Sequence, residues 1–157
     1  MLNLIEEINV DLTRCKKVID ENNYLETVIA IEELQDKYRD KIKSLDEKSK
    51  DIVWNYSMKD LVNIKDSLIE YREEIIEKEK LKNFHEKMLN FKVYLEKNEI
   101  ENRTVLDKII NIIEEVNNNN ISLDEKYEKI KSCFNLIEKF ERKTASYILE
   151  LITLVIS

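Results

Sequence analysis

The chain has 157 residues, a net charge of -7 and neither glycine nor proline, where average usage would supply about 11 and 8 of them. Phosphate loops and dinucleotide folds need glycine where the backbone approaches a phosphate, so both classes are excluded, and folds built on tight hairpins are disfavoured. Helices joined by asparagine and serine turns need no glycine, because asparagine tolerates the left-handed region at a helix end, so an all-α fold is expected.

Ile5, Ile8, Leu12, Cys15 and Ile19 alternate spacings of three and four and predict a first helix of about 18 residues. It stops at "DENN" (20 to 23), where Asn23 and Glu26 have the spacing of a capping box for a second helix. The second stripe runs Tyr24, Val28, Ile31, Leu34, Tyr38, Ile42, Leu45, Ile52, Tyr56, with Ser49 in one stripe position, and predicts a helix continuing to about residue 55. "SLDEK" at 44 to 48 is itself a capping box and argues for a restart at Ser44; with no turn residue before it, continuation is the expectation.

Ser57 with Asp60 opens a third helix, expected over 58 to 97 and about 60 Å long. Leu61, Ile64, Leu68, Tyr71 and Ile75 form its first stripe, widened by Val62, Ile69 and Ile76. "EKEK" (77 to 80) offers nothing apolar, and Leu81, Phe84, Met88, Phe91 and Leu95 resume in a shifted phase, which reads as a stutter within one helix. "NEIEN" (98 to 102) turns the chain into a shorter helix carrying Leu106, Ile109, Ile113 and Val116. After "NNNN" (117 to 120) a second "SLDEK" at 122 to 126 starts the last helix, with Leu123, Tyr127, Ile130, Phe134, Ile137, Phe140, Ile148, Leu151 and Val155.

The 78-residue offset between the two pentapeptides aligns Val28, Ile31 and Leu34 with Leu106, Ile109 and Ile112, a match that helical heptads give by default. The expectation is therefore a single domain over 1 to 157, without duplication. Its architecture would be an elongated antiparallel bundle of about five helices, three of them long.

Charged residues make up 38% of the chain and alternate in sign, which reads as solvated helix faces. The densest basic stretch, "EKEKLKNFHEK" (77 to 87), carries nearly its own counter-charge, so nucleic acid is not an expected partner. Lysine (21) over arginine (5), with two alanines, is the usage of an A/T-rich bacterial or phage genome. Cys15 and Cys133 lie on apolar stripes without CxxC spacing and read as buried thiols of a reducing cytoplasm. "MLNLIEEINVDL" has no basic n-region, so no signal peptide is expected.

Catalytic patterns are sparse. The one histidine, His85, stands beside Phe84 and Met88 on an amphipathic stretch and reads as a boundary residue. Ferritin-type dimetal bundles need two Glu-x-x-His motifs, and the chain has none. "EYRE" (70 to 73) matches the first half of the magnesium motif of helical pyrophosphohydrolases, but no Glu-x-x-Asp follows at a suitable distance. No cofactor or metal site is expected.

The terminal stretch "ASYILELITLVIS" (145 to 157) is too short for a membrane span and has Glu150 near its middle. On a helical wheel Ile148, Leu151, Ile152 and Val155 continue the core stripe, with Tyr147 and Leu154 on one flank and Leu149 and Ile156 on the other. These four flanking residues are the candidate partner-binding or self-association positions, unless the bundle covers them itself. The expected function is a non-enzymatic interaction protein, such as an inhibitor, immunity factor or adaptor. A regulatory bundle holding a small apolar ligand is the alternative, and a magnesium-dependent hydrolase a remote third.

Overall fold

The computed structural model describes residues 2–46 and 57–157. Seven helices and no strand are found among them: α1 Leu2–Glu21, α2 Tyr24–Tyr38, α3 Lys43–Asp46, α4 Met58–Lys97, α5 Arg103–Asn118, α6 Leu123–Ile137 and α7 Arg142–Ile156. The all-α expectation holds; the expected five helices, three of them long, do not, because two expected long helices are broken. Only α4, with 40 residues, exceeds 20.

The turns do without glycine as the sequence implied. The residues with positive φ among those described are Asn22 (φ 48°) and Asn102 (φ 59°), one after α1 and one before α5. Asn23 caps α2 by accepting from the Glu26 backbone N–H at 3.2 Å. Ser57 and Asp60 close the reciprocal box at the start of α4, the Ser57 N–H donating to Asp60 Oδ2 at 2.9 Å and the Asp60 N–H to Ser57 Oγ at 3.4 Å.

The first break falls where the apolar spacing is uninterrupted. α2 ends at Tyr38, whose carbonyl accepts from the N–H groups of Lys41 and Ile42, and the chain enters α3 with Ile42 and Leu45 still buried. Burial at 38, 42 and 45 is what a continuous helix would also show, so the stripe does not register the break. The expected continuation to residue 55 is thus corrected at residue 39, while Ser49, Ile52 and Tyr56 lie outside the described residues. Likewise α6 ends at Ile137, Lys139 and Phe140 make tight turns onto Leu136 and Ile137, and Glu141 is extended (ψ 153°) before α7 restarts. A four-residue connection returns the chain antiparallel, and the Lys126 ammonium at the start of α6 donates to the Val155 carbonyl at the end of α7.

The helices group into two compact units, Met1–Lys78 and Glu79–Ser157. The core of the first takes Ile8, Leu12, Cys15 and Val18 from α1, Ala30, Ile31, Leu34 and Tyr38 from α2, Ile42 and Leu45, and Leu61, Ile64, Leu68 and Ile75 from α4. The second is a four-helix arrangement of the later part of α4 with α5, α6 and α7, closed over Phe84, Phe91, Leu106, Ile109, Ile113, Ile130, Cys133, Ile148 and Leu151. The charged stutter at 77 to 80 is where α4 passes from one core to the other. From Ile75 to Phe84 is roughly two and a half turns, over which the helix is unbroken.

The two copies of the pentapeptide place their serines differently, and Glu47 and Lys48 of the first copy lie outside the described residues. Ser122 is the N-cap of α6 and accepts from the Glu125 N–H at 3.3 Å, whereas Ser44 lies inside α3, its hydroxyl 3.4 Å from that of Ser67 on the surface. Ser122→Ala is expected to cost about 1 kcal/mol and Ser44→Ala less than about 0.5 kcal/mol in urea denaturation followed by circular dichroism. Equal losses would show that Ser44 also caps a helix.

Candidate functional site

The four flanking residues of α7 separate in the structure. Tyr147 is half-buried, its ring stacked on Phe91 (centroids 5.2 Å apart, 16° between planes) and tilted against Tyr94 at 4.9 Å. Leu154 and Ile156 are half-buried and pack on the core of the second unit. Leu149 is 43% exposed. The chain thus covers much of three of the four itself, and Leu149 is left open.

Other large apolar side chains face water where core was expected. Leu123, Tyr127 and Phe134 of α6 are each about half exposed, and Tyr24 of α2 is 71% exposed. These positions were placed on core stripes, and the structure corrects that. In α6 the buried residues are Ile130 and Cys133, so the helix is turned by one column and the column 123, 127, 134 lies outside it. Only the apolar excess was visible in the sequence; which edge of the wide stripe is covered depends on α5 and α7.

A groove of about 640 Å³ runs between α4 and α7, within the second unit. Lys87, Lys97 and Lys143 stand along it with Val93, Tyr147 and Glu150. The Lys87 ammonium is 3.5 Å from the Glu150 carboxylate, and that of Lys143 lies over the Tyr94 ring, 5.3 Å from its centroid. Beneath, the Tyr94 and Thr144 hydroxyls share a buried hydrogen bond of 3.0 Å. Thr144, 1% exposed, occupies the stripe position between Phe140 and Ile148.

The residues with catalytic potential are not brought together. His85 is exposed, its ring edge-on to Phe84 at 6.0 Å. Glu70 and Glu73 of the "EYRE" stretch are exposed, and Arg72 Nη1 between them donates to Asn9 Oδ1 at 2.7 Å. Among the described residues no three His, Cys, Asp or Glu side chains converge as a metal would need. No helix among them is long and apolar enough to cross a membrane. Cys15 and Cys133 are both buried and free.

The most perturbed titratable groups form a polar pin in the first core. Asp11, 8% exposed on α1, accepts at Oδ2 from the Tyr38 hydroxyl at 2.5 Å and from the Lys37 ammonium at 2.8 Å. Burial, then the hydrogen bond to Asp11 and its charge, hold the Tyr38 phenol protonated far above the usual tyrosine range. Burial pushes the Cys15 thiol up to about 11, with the Asp11 carboxylate adding to it. Such shifts often mark active sites in clefts; here Tyr38 and Cys15 are 0% exposed, and the pin ties α1 to α2 inside the core.

No family model, curated protein or solved structure matches the chain.

Proposed function

We propose that the protein works by binding another protein, through the apolar surface that α6 and α7 leave uncovered. The observation that carries this reading is the column Leu123, Tyr127, Phe134 on α6, with Leu149 on α7, in a chain that otherwise has the acids and lysines to solvate its surface. Isolated exposed apolar residues are ordinary, but large ones repeated along one helix face mark contact sites. Aromatic side chains are also the residues that dominate binding energy at interfaces. On this reading the chain is an inhibitor, immunity factor or adaptor, without chemistry of its own. The alternative of a small apolar ligand held between helices is not favoured by the groove between α4 and α7 or by the cavity beside Thr144, both partly lined by charged side chains.

The double substitution Tyr127→Glu, Phe134→Glu tests it. Both side chains are about half exposed, so the variant should keep its helical signal and melt within a few degrees of the wild type. It should lose a specific species captured by the wild-type chain from the source cell's lysate, or the concentration-dependent self-association seen by light scattering. A folded variant that keeps every such interaction would refute the reading.

A further inference from the structure

The two units repeat one order of buried positions, which the heptad match between the two pentapeptides did not establish. In the first helix of each, Ile8, Leu12, Cys15 and Val18 are buried in α1, and Phe84, Met88, Phe91 and Tyr94 in the later part of α4, an offset of 76 at all four. In the second helix, Thr27, Ala30, Ile31 and Leu34 of α2 match Leu106, Ile109, Ile110 and Ile113 of α5, an offset of 79. In the last helix, Ile64, Leu68 and Ile75 of α4 match Thr144, Ile148 and Val155 of α7, an offset of 80. The rise from 76 to 79 is the lengthening of one turn, since residues 22 and 23 separate α1 from α2, whereas 98 to 102 separate α4 from α5, three more. The third helix is compared only at its start, Ser44 in α3 against Ser122 before α6, because 47 to 56 lie outside the described residues. Spacing alone matches helices one at a time and does not fix how they pair, yet the pairing repeats too. Arg72 of α4 donates to Asn9 of α1, and these two positions map onto Ile152 and His85. The Lys87–Glu150 pair lies two residues further along the first helix and two residues back along the last, which is the same antiparallel register.

We infer that Met1–Lys78 and Glu79–Ser157 are two copies of one helical module, produced by internal duplication, with the last helix of the first copy running on through α4 as the first helix of the second. This replaces the expectation of a chain without duplication and does not depend on the α6 surface. Of the eleven matched buried pairs only Ile31 and Ile110 are the same residue, because a core selects for apolar volume at a position more than for one side chain. The buried polar ties have diverged as well. The first copy joins its first helix to its second through Asp11 and Tyr38, and the second copy joins its first helix to its last through the Tyr94 and Thr144 hydroxyls.

Val18 and Ile64 therefore stand where the second copy has Tyr94 and Thr144, and this supplies the test, made in the full chain. Val18→Tyr alone and Ile64→Thr alone should each lower the urea midpoint of the first unit, followed by its NMR signals, the one by overpacking and the other by a buried hydroxyl without a partner. Val18→Tyr with Ile64→Thr should lose less than about half the sum of the two shifts, because the hydroxyls meet as those of Tyr94 and Thr144 do. Ile8→Tyr with Ile64→Thr introduces the same two side chains at positions that the duplication does not pair, and its losses should add. In the unsubstituted chain, nuclear Overhauser effects should join the methyl groups of Val18 and Ile64 as they join the Tyr94 ring and the Thr144 methyl, a reading that stands even where a variant fails to fold. The proposal is overturned if the Val18 and Ile64 losses add in folded variants, if the Ile8 combination recovers as much, or if the Val18 and Ile64 methyl groups show no mutual Overhauser effect.

Discussion

Phe91→Ala is expected to destabilise the second unit by about 3–5 kcal/mol, while Leu89→Ala, two residues away on the same helix, should change its stability by less than about 0.5 kcal/mol. Phe91 is 0% exposed and Leu89 63% exposed, so the pair isolates burial from helix propensity. The Phe91 ring contributes more than area. It stacks on Tyr147 of α7 and lies 6.4 Å from Tyr94, in a three-ring layer that joins α4 to α7 beneath the groove. Truncation leaves a void as large as the ring and removes a stacking partner from Tyr147, which also lines the groove. A loss of this size is a large fraction of the 5–15 kcal/mol that holds a typical domain together. Urea denaturation followed by far-UV circular dichroism and by the NMR signals of α5 to α7 would measure it. A loss below about 1 kcal/mol would mean that the layer is not a tightly packed part of the core.

The sequence was most legible where a local interaction decides the structure. The caps at Asn23, Ser57 and Ser122 depend on residues three apart, and all three are made. The long α4 is similar, because the charged stutter at 77 to 80 contains no residue that ends a helix, and its phase shift records the change from one core to the other. The breaks at 39 to 42 and 138 to 141 were not legible, because apolar spacing reports which side chains are buried, not whether the backbone between them is continuous. Ile42 and Leu45 keep the period of Tyr38 after the helix has ended.

The candidate site was half legible for a related reason. Periodicity showed that α7 is apolar over too wide an arc, but not that Phe91 and Tyr94 would cover the flank of Tyr147 while Leu149 stayed open. On α6 it placed Tyr127 and Phe134 on the core stripe beside Ile130 and Cys133, and of these four only Ile130 and Cys133 are buried. A shift of one column is about 40 to 60° on the wheel, below what a stripe four residues wide can resolve without knowing its neighbours. The groove between α4 and α7 has no signature along the chain, since its lining residues are brought together only by the antiparallel return of α7.

Stability of the first unit should fall steeply in alkali, and the fall should be traceable to Cys15 and Tyr38. Both acids are buried in their neutral forms with pKa values raised by burial first and by the Asp11 carboxylate beside them, against which Arg14 and Lys65 act in the opposite sense on Cys15. Below about pH 9 the thiol is protonated whether the chain is folded or not, and its full contribution is present. Between pH 9 and about 11 the unfolded chain releases the proton and the folded chain does not, so stability is lost as pH rises, up to about 2–3 kcal/mol for a shift of this size. Tyr38 continues the loss above pH 10, because ionisation would place a phenolate against a carboxylate. Cys15→Ala should be about 1 kcal/mol less stable near neutrality, from lost packing, and should decline less between about pH 9 and 11. Tyr38→Phe should cost about 1–3 kcal/mol near neutrality, because the buried Asp11 carboxylate loses the Tyr38 hydroxyl and is left with the Lys37 ammonium, and should decline less above pH 10. Lysine ionisation is common to all three chains, so the difference between their urea midpoints isolates the two buried acids. Parallel declines in wild type and both variants would show that neither group stays protonated in the folded core at high pH.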